Sequence, residues 1–311
     1  MESEVTVLLA AYKGSTYAPS QIESILAQDC GGWRLVLSDD GDWTAEVLDR
    51  YAAAYPDRIV RYRAGARFGS AQKHFMALLR AFRESPYIMF CDQDDIWHPD
   101  KIRRTLALMK QTEASAGAGA PVLVHTDLRV VDAKLQEMAP SFTRYSRLDG
   151  SALSLNRLLV QNTVTGCTVM INRALAEMAL QAEDVPEMQM HDWWMALTAA
   201  AFGKAAFLPE ATMDYRQHGS NTVGAKNPNS LSYVMDKIRA GGARKALEDT
   251  AAQAGAFLRI YGPQLSEAQK EMLEAFSSAP ERGKAARLRI YGKYGFWKKD
   301  LRRRLGQLLW W

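Results

Sequence analysis

The sequence predicts an α/β fold with a mainly parallel central sheet, helices on both sheet faces and a C-terminal helical extension. Three observations carry the prediction. Short apolar runs alternate with amphipathic helical stretches through the first hundred residues, which implies right-handed crossovers onto a parallel sheet. Two of the runs stop abruptly at acids, and in sheets of this kind ligands sit beyond the carboxyl ends of the strands. From about Asn227 onward only helical periodicity remains.

The first strand is Val5 to Ala11, followed by Tyr12-Lys13-Gly14 and a helix with apolar positions Ile22, Ile25 and Leu26. Residues 34–37 form a second strand that runs into Ser38-Asp39-Asp40-Gly41. A third, Ile59 to Tyr62, precedes a helix carrying Phe75, Leu78, Leu79 and Phe82. Tyr87 to Cys91 is a strand buried on both faces, and it ends at Asp92, Asp94 and Asp95. Residues 115–120, small and flexible, read as a linker dividing a first half, 1–114, from a second half, 121–225. In that second half, Pro121 to Thr126 and Leu128 to Val131 are strand-like, and 133–150 is a polar loop. A helix around Leu153 to Val160 follows, then a strand from Thr163 to Ile171 interrupted by Gly166, a helix opening at His191, and two strand-like segments, 205–208 and 211–215. Residues 226–311 form the helical extension, with breaks at Pro263 and Pro280.

Three carboxylates within four positions repel one another and raise one another's pKa, so they need a cation or hydrogen-bond donors. Magnesium and manganese take oxygen ligands from one or two carboxylates together with substrate phosphates, which makes Asp92 and Asp94 a candidate metal-diphosphate site. The plain alternative is a turn or helix cap, a role that suits Asp95 or Asp100 before the helix that begins near Pro99. A second cluster, His191-Asp192-Trp193-Trp194, sets a His-Asp pair beside two indoles. Asp192 as a simple helix cap is its plain reading. Yet sugar C–H faces pack on aromatic rings while carboxylates take hydroxyls. A third cluster is Asp214-Tyr215-Arg216-Gln217-His218-Gly219-Ser220-Asn221.

Val5 to Gly14, Ser38-Asp39-Asp40-Gly41 and Phe90-Cys91-Asp92-Gln93-Asp94-Asp95-Ile96-Trp97, in this order, resemble family 2 glycosyltransferases of the GT-A fold. The last segment is similar to a bacterial rhamnosyltransferase-like branch. The resemblance implies an inverting transferase that uses a nucleotide-diphosphate sugar and Mn²⁺ or Mg²⁺. It implies that Ala11 and Tyr12 line the base pocket, that Asp39 or Asp40 bonds the pyrimidine, that Asp92 with Gln93 lies near the ribose, and that Asp94 and His218 bind the metal. Arg216 would approach the diphosphate and Lys73 a phosphate. By the same resemblance Asp192 is the catalytic base, with His191 supporting it, and Trp193, Trp194 and Gly166 border the acceptor; Gly166 as a mere bulge stays open. Two departures stand out. The loop after Gly41 is two residues shorter than the family's continuation, and Arg67 and His74 stand where asparagine is common.

With 311 residues and 48% hydrophobic content the chain can bury a large core. No stretch reaches the roughly 18 apolar residues of a membrane span, and the acidic start, Met1-Glu2-Ser3-Glu4, lacks the basic and apolar parts of an export signal. A cytoplasmic location is expected. Cys30, Cys91 and Cys167 lack zinc or disulfide spacing and read as packing residues. From Arg282 to Arg304 the charge is +9, which leaves −5 on the rest. Interleaved with aromatic and aliphatic residues to Trp311, this segment reads first as peripheral on an anionic membrane, second as a helix packed on the body; with no RNA-binding motif, no nucleic-acid partner is expected. A lipid-linked or glycan acceptor suits that placement. A sugar-phosphate nucleotidylyltransferase would need a glycine-rich basic loop after the first strand, which is missing. A non-catalytic nucleotide-sugar-binding module would not need all three clusters, and no G-x-G-x-x-G supports a nicotinamide enzyme.

Overall fold

The computed structural model describes residues 4–182, 184–218 and 242–310. Half of the sheet is built from parallel strands β1 (Val5–Ala11), β2 (Trp33–Asp39), β3 (Ile59–Arg61) and β4 (Tyr87–Asp92). Helices α1 (Ala18–Leu26), α2 (Ala45–Ala54) and α3 (Ala71–Ala81) cross between them. In register, Ala11 lies beside Asp39 and Ala10 beside Asp92. The acidic ends of β2 and β4 therefore flank the end of β1, two strand spacings or about 10 Å apart.

After β4 come the short β5 (Ile96–Trp97) and α4 (Lys101–Ala116), which ends at Gly117 with φ +97°. The second half contains β6 (Val122–Asp132), β7 (Glu137–Ala139), α5 (Phe142–Tyr145), α6 (Leu155–Val160), β8 (Val169–Asn172), α7 (Arg173–Ala179), α8 (His191–Phe202) and β9 (Lys204–Gln217). Strand order is β3-β2-β1-β4-β8-β6-β9-β5, with β7 on β6. β8 runs antiparallel to both neighbours and β5 antiparallel to β9, while β6 and β9 are parallel. The sheet is thus parallel in its first half and mixed in its second, because a continuous apolar run specifies burial but not direction.

Two local differences bear on the site. The two strand-like segments near 205 and 215 are one strand, β9, whose pairing with β6 jumps from Leu208 to Ala211 and so bulges at Pro209 and Glu210. The strand expected from Thr163 begins instead with a 3₁₀ turn, Gly166–Thr168, before β8. The polar loop after Asp132 contributes β7, which pairs with β6, and α5.

Apolar side chains fill both sheet faces. On one, Val7, Leu9, Leu35 and Met89 pack with Trp97, Ile102 and Met109. On the other, Leu8, Val36, Phe75 and Phe90 pack with α8, and that core continues into the C-terminal helices through Phe257, Tyr261, Phe276 and Phe296. Those helices are α9 (Gly242–Tyr261), α10 (Glu267–Ser277), α11 (Lys284–Tyr294) and α12 (Leu301–Trp310). The helical extension predicted from 226 is met from Gly242; residues 226–241 lie outside the described residues. The basic segment is docked on the body. Asn156 and Arg157 donate to the carbonyls of Tyr294 and Trp297, Lys299 pairs with Asp149 at 2.5 Å, and Arg303 donates to the Ser146 carbonyl. No helix among the described residues is long and apolar enough to cross a membrane.

Trp194 corrects an expectation. Instead of bordering the acceptor it is fully buried, its ring 5.2 Å from that of Phe257 and its indole N–H donating to the Tyr261 hydroxyl. On a helix the two adjacent residues point about 100° apart, so only one of the tryptophans can face a crevice on one side of α8. Trp194→Ala should therefore destabilise the chain by about 3–5 kcal/mol, measured by denaturant unfolding; an unchanged midpoint would contradict the packing.

Candidate active site

The crevice is formed where β1, β2, β4 and β9 end. Asp94 follows β4 and His218 follows β9, and His218 Nε2 lies 2.8 Å from Asp94 Oδ2. Tyr17 stacks on the His218 ring with centroids 4.7 Å apart, which fixes the imidazole plane. A carboxylate and an imidazole brought together at the mouth of a crevice are a donor set that fits Mn²⁺ or Mg²⁺. Gly219, Ser220 and Asn221 of the same motif lie outside the described residues.

Arg216 does something different from what the resemblance implies. Its guanidinium is buried over the Tyr17 ring, donates to the carbonyls of Asp94 and Ala133, and its backbone N–H donates to Asp95 Oδ1. It clamps the acidic loop onto the end of β9. Asp95 is neither turn nor cap but a fully buried anchor for that clamp, and Asp100, at the start of α4, pairs with Arg104 one turn on without capping the helix.

Asp92 is enclosed by like charges. Burial first, then Asp94 and Asp192, push its carboxyl well above the ordinary range, while the Cys167 thiol hydrogen-bonds it. Cys167, Asp92 and Asp95 bring donor atoms within 4.8 Å of one another. Burial holds the Cys167 thiol well above its usual pKa, so it acts as a neutral S–H donor to the carboxylates, not as a metal ligand. All three cysteines are free. Beneath the acids lies a lysine that sequence reading missed. Lys101 is fully buried, its ammonium donates to Thr212 Oγ1 at 3.1 Å and stands 4.9 Å over the Trp97 ring. Burial pulls it down to about 8, and Asp95 is among the groups that oppose the shift.

Asp192 is the second residue of α8; Met190 occupies the cap position. Its carboxylate is buried, with Oδ1 accepting from the Trp193 N–H at 2.6 Å and from Asn162 Nδ2 at 3.3 Å. Burial pushes the carboxyl up to about 6, against the hydrogen bonds from Trp193, Gly166 and Asn162. Gly166 is more than a bulge. A Cβ there would come 3.1 Å from His191 Nε2 and 3.4 Å from Asp192 Oδ2, so its missing side chain is what admits both groups. His191 is buried between Phe75 and Phe90, neither ring nitrogen has a hydrogen-bond partner, and burial lowers it to about 3. It packs there as a neutral ring. Trp193 is half-buried and donates its indole N–H to the Leu158 carbonyl. Asn162 carried no sequence signal.

At the end of β2 the two acids divide. Asp40 accepts from the Phe68 and Gly69 backbone N–H groups at 2.7 and 2.9 Å, holding the loop before α3. Asp39 accepts from the Thr44 N–H through Oδ2, while its Oδ1 is buried without a partner. Gln93 grips the backbone of Tyr12 with two hydrogen bonds, 2.8 and 2.9 Å, and lies where any side chain at position 14 would stand. Ala11 closes β1 at full burial, and Lys73 stays exposed on the first turn of α3. His74, by contrast, is buried, bonded to Ser38 Oγ at 2.7 Å and stacked on Phe68.

The chain is similar to known proteins. Residues 6–178 match the family described as Glycosyl transferase family 2. Over 227 residues the chain is 26% identical to the dTDP-rhamnosyl transferase RfbG of Shigella flexneri, covering 70% of this chain and 74% of that protein. Among solved structures, the mannosyltransferase PcManGT from Pyrobaculum calidifontis, in complex with GDP-Man and Mn²⁺, aligns at TM-score 0.56 and 17% identity over 100% of this chain and 88% of that one. S. aureus TarS 1-349 in complex with UDP-GlcNAc aligns at TM-score 0.57 and 13% identity, covering 94% of this chain and 80% of that one. These likenesses show the GT-A type of fold. The chain belongs to glycosyl transferase family 2, and the enzyme's reaction is glycosyl transfer.

Proposed function

We propose that this glycosyltransferase is a divalent-cation-dependent inverting enzyme that moves rhamnose from a dTDP carrier to a hydroxyl of a glycan or lipid-linked acceptor in cell-surface polysaccharide synthesis. The supporting observation is that Asp192, a buried carboxyl pushed up to about 6, acts electrostatically on Asp92, whose neighbour Asp94 is paired with His218. The dTDP-rhamnose donor is suggested by the named relative alone.

Asp94 and His218 would hold Mn²⁺ or Mg²⁺, whose charge offsets that of the donor diphosphate. Asp192 takes the proton of the acceptor hydroxyl as that oxygen bonds the anomeric carbon, and the bond from that carbon to the diphosphate oxygen breaks with its electron pair leaving on the diphosphate. Attack from the face opposite the leaving group inverts the anomeric centre. Asp92 and Gln93 serve the ribose side, Asp39 Oδ1 accepts a ring N–H of the base, Lys73 reaches a phosphate, and Trp193 with Gly166 borders the acceptor. Arg216 keeps the acidic loop in place.

The membrane reading rests on α12. Leu301 and Leu305, one turn apart, are 67% and 50% exposed on a helix that also carries Arg304. Such a face suits an anionic bilayer, each basic residue near its surface adding on the order of 1 kcal/mol.

Three outcomes are expected. Asp192→Asn should bind dTDP as the parent does and lose roughly 10²–10⁴-fold in turnover; for the parent, kcat/KM should fall as pH drops below about 6, where the base becomes protonated. Normal turnover by the variant removes the base assignment. Asp94→Asn and His218→Ala should each abolish the Mn²⁺-dependent part of dTDP binding seen by calorimetry, and retention in both would refute the ligand pair. Vesicles rich in anionic lipid should co-sediment the chain, with Leu301→Ser/Leu305→Ser releasing it; identical sedimentation would exclude α12 as the contact.

A further inference from the structure

Asp192 is held by the segment before the 3₁₀ turn as well as by its own helix. Its Oδ1 accepts from the Trp193 N–H at 2.6 Å and from Asn162 Nδ2 at 3.3 Å. The other end of that amide is engaged too. Asn162 Oδ1 accepts the Val164 N–H at 3.0 Å, which leaves the NH₂ as the end turned to Asp192, the only end able to donate to a carboxylate. Just before it in the chain, the Leu158 carbonyl accepts the Trp193 indole N–H at 2.7 Å. Two ties thus join α6 and the residues after it to two consecutive residues of α8. α6 is itself anchored, through Asn156 and Arg157, on the carbonyls of Tyr294 and Trp297.

Both bonds to the carboxylate fall on Oδ1. Oδ2 lies 3.4 Å from the place that a Cβ at Gly166 would take, beside the gap left by the missing side chain. A carboxyl that rotated about its Cβ–Cγ bond would exchange the two oxygens, and proton transfer needs the accepting oxygen within hydrogen-bond reach of the hydroxyl. Trp193 moves with α8, since it is the next residue in the chain. Asn162, on a different element, is the group that fixes the carboxylate's rotation against the rest of the site. It also favours the ionised form. Burial pushes the carboxyl up and Asn162 is among the donors that oppose the shift; Asp92 at the end of β4 interacts with it as a like charge, and His191 on its own helix is neutral.

We infer that Asn162 is the positioning residue of this enzyme's base, and that Asp192 Oδ2 is the oxygen that takes the acceptor proton. In the transfer step the acceptor O–H bond breaks and its proton bonds to Oδ2. The electron pair it leaves forms the bond to the anomeric carbon, as the diphosphate departs with the pair of the old bond. Asn162 acts through Asp192. The inference rests on the reading of Asp192 as the base and adds to it the residue that orients that base and the atom that does the work.

The test is the titration of the Asp192 carboxyl carbon, followed by carbon-13 NMR on the aspartate-labelled full chain and assigned by its loss in Asp192→Asn. In the parent the midpoint should lie at about 6. Asn162→Ala removes a donor from the ionised form and should move the midpoint upward. Asn162→Asp, equal in size and still able to accept from Val164, puts a like charge in the donor's place and should move it further. Both variants should bind dTDP with Mn²⁺ as the parent does, measured by calorimetry, while turnover at pH 7 falls on the order of tenfold with the donor KM unchanged. A midpoint that stays in place in both variants, or dTDP binding lost in parallel with turnover, overturns the inference and leaves Asp192 as the base. Normal turnover by Asp192→Asn removes the base reading itself, whatever the Asn162 variants do.

Discussion

The structure depends on keeping several carboxylates together at the end of β4. Asp92 and Asp95 are crowded by Asp94 and by each other, and burial alone drives both toward protonation. Three neighbours hold the cluster in one geometry: the Cys167 thiol donates, the buried Lys101 ammonium supplies opposite charge from below, and the Arg216 backbone and guanidinium tie the loop to β9. Each contact is internal, so each removes freedom without occupying the mouth of the crevice. Isolated buried charges would neutralise themselves by shifting pKa; a connected set keeps the acids oriented. Because Arg216 and His218 are two residues apart on one strand end, the same clamp that anchors Asp95 delivers the imidazole to Asp94.

Most of this was legible in the sequence where chemistry is carried by residue order. Strands ending in acids placed Asp39, Asp92 and Asp94 at one edge; in the structure His218 bonds Asp94, and Asp94 and Asp192 both act electrostatically on Asp92. What stayed hidden depends on side-chain direction and depth. Lys101 reads as an ordinary first-turn lysine of α4, because nothing local says that its ammonium points under a sheet. Trp193 and Trp194 read as a pair, because sequence adjacency hides the rotation that sends one into the core. Asn162 and the antiparallel direction of β8 were illegible for the same reason: a polar residue in a loop and an apolar run each admit several orientations.

The shortened β2 loop shows how a departure from a family pattern becomes informative only in three dimensions. Gly41 and Asp42 adopt left-handed backbone, and the turn sets an indole beside Tyr12. The strain is tolerable because Gly41 has no Cβ and because Asp39 and Ser15 bind the turn from below.

The C-terminal helices bear on the chemistry through α8. Its buried residues face both the sheet and α9, which explains why the helix is apolar all round, a pattern that would otherwise be a poor choice beside a solvent-filled crevice. Trp194 and its contacts with Phe257 and Tyr261 pin the first turn of α8 from the outer side, while His191 pins it against Phe75 and Phe90 from the inner side. Asp192 lies between those two anchors. A carboxyl held between two opposed packing contacts is fixed in place, so a ligand must come to it. Extension and catalytic body thus share one core, and the position of the candidate base is set as much by residues after 242 as by the strands that carry the acids.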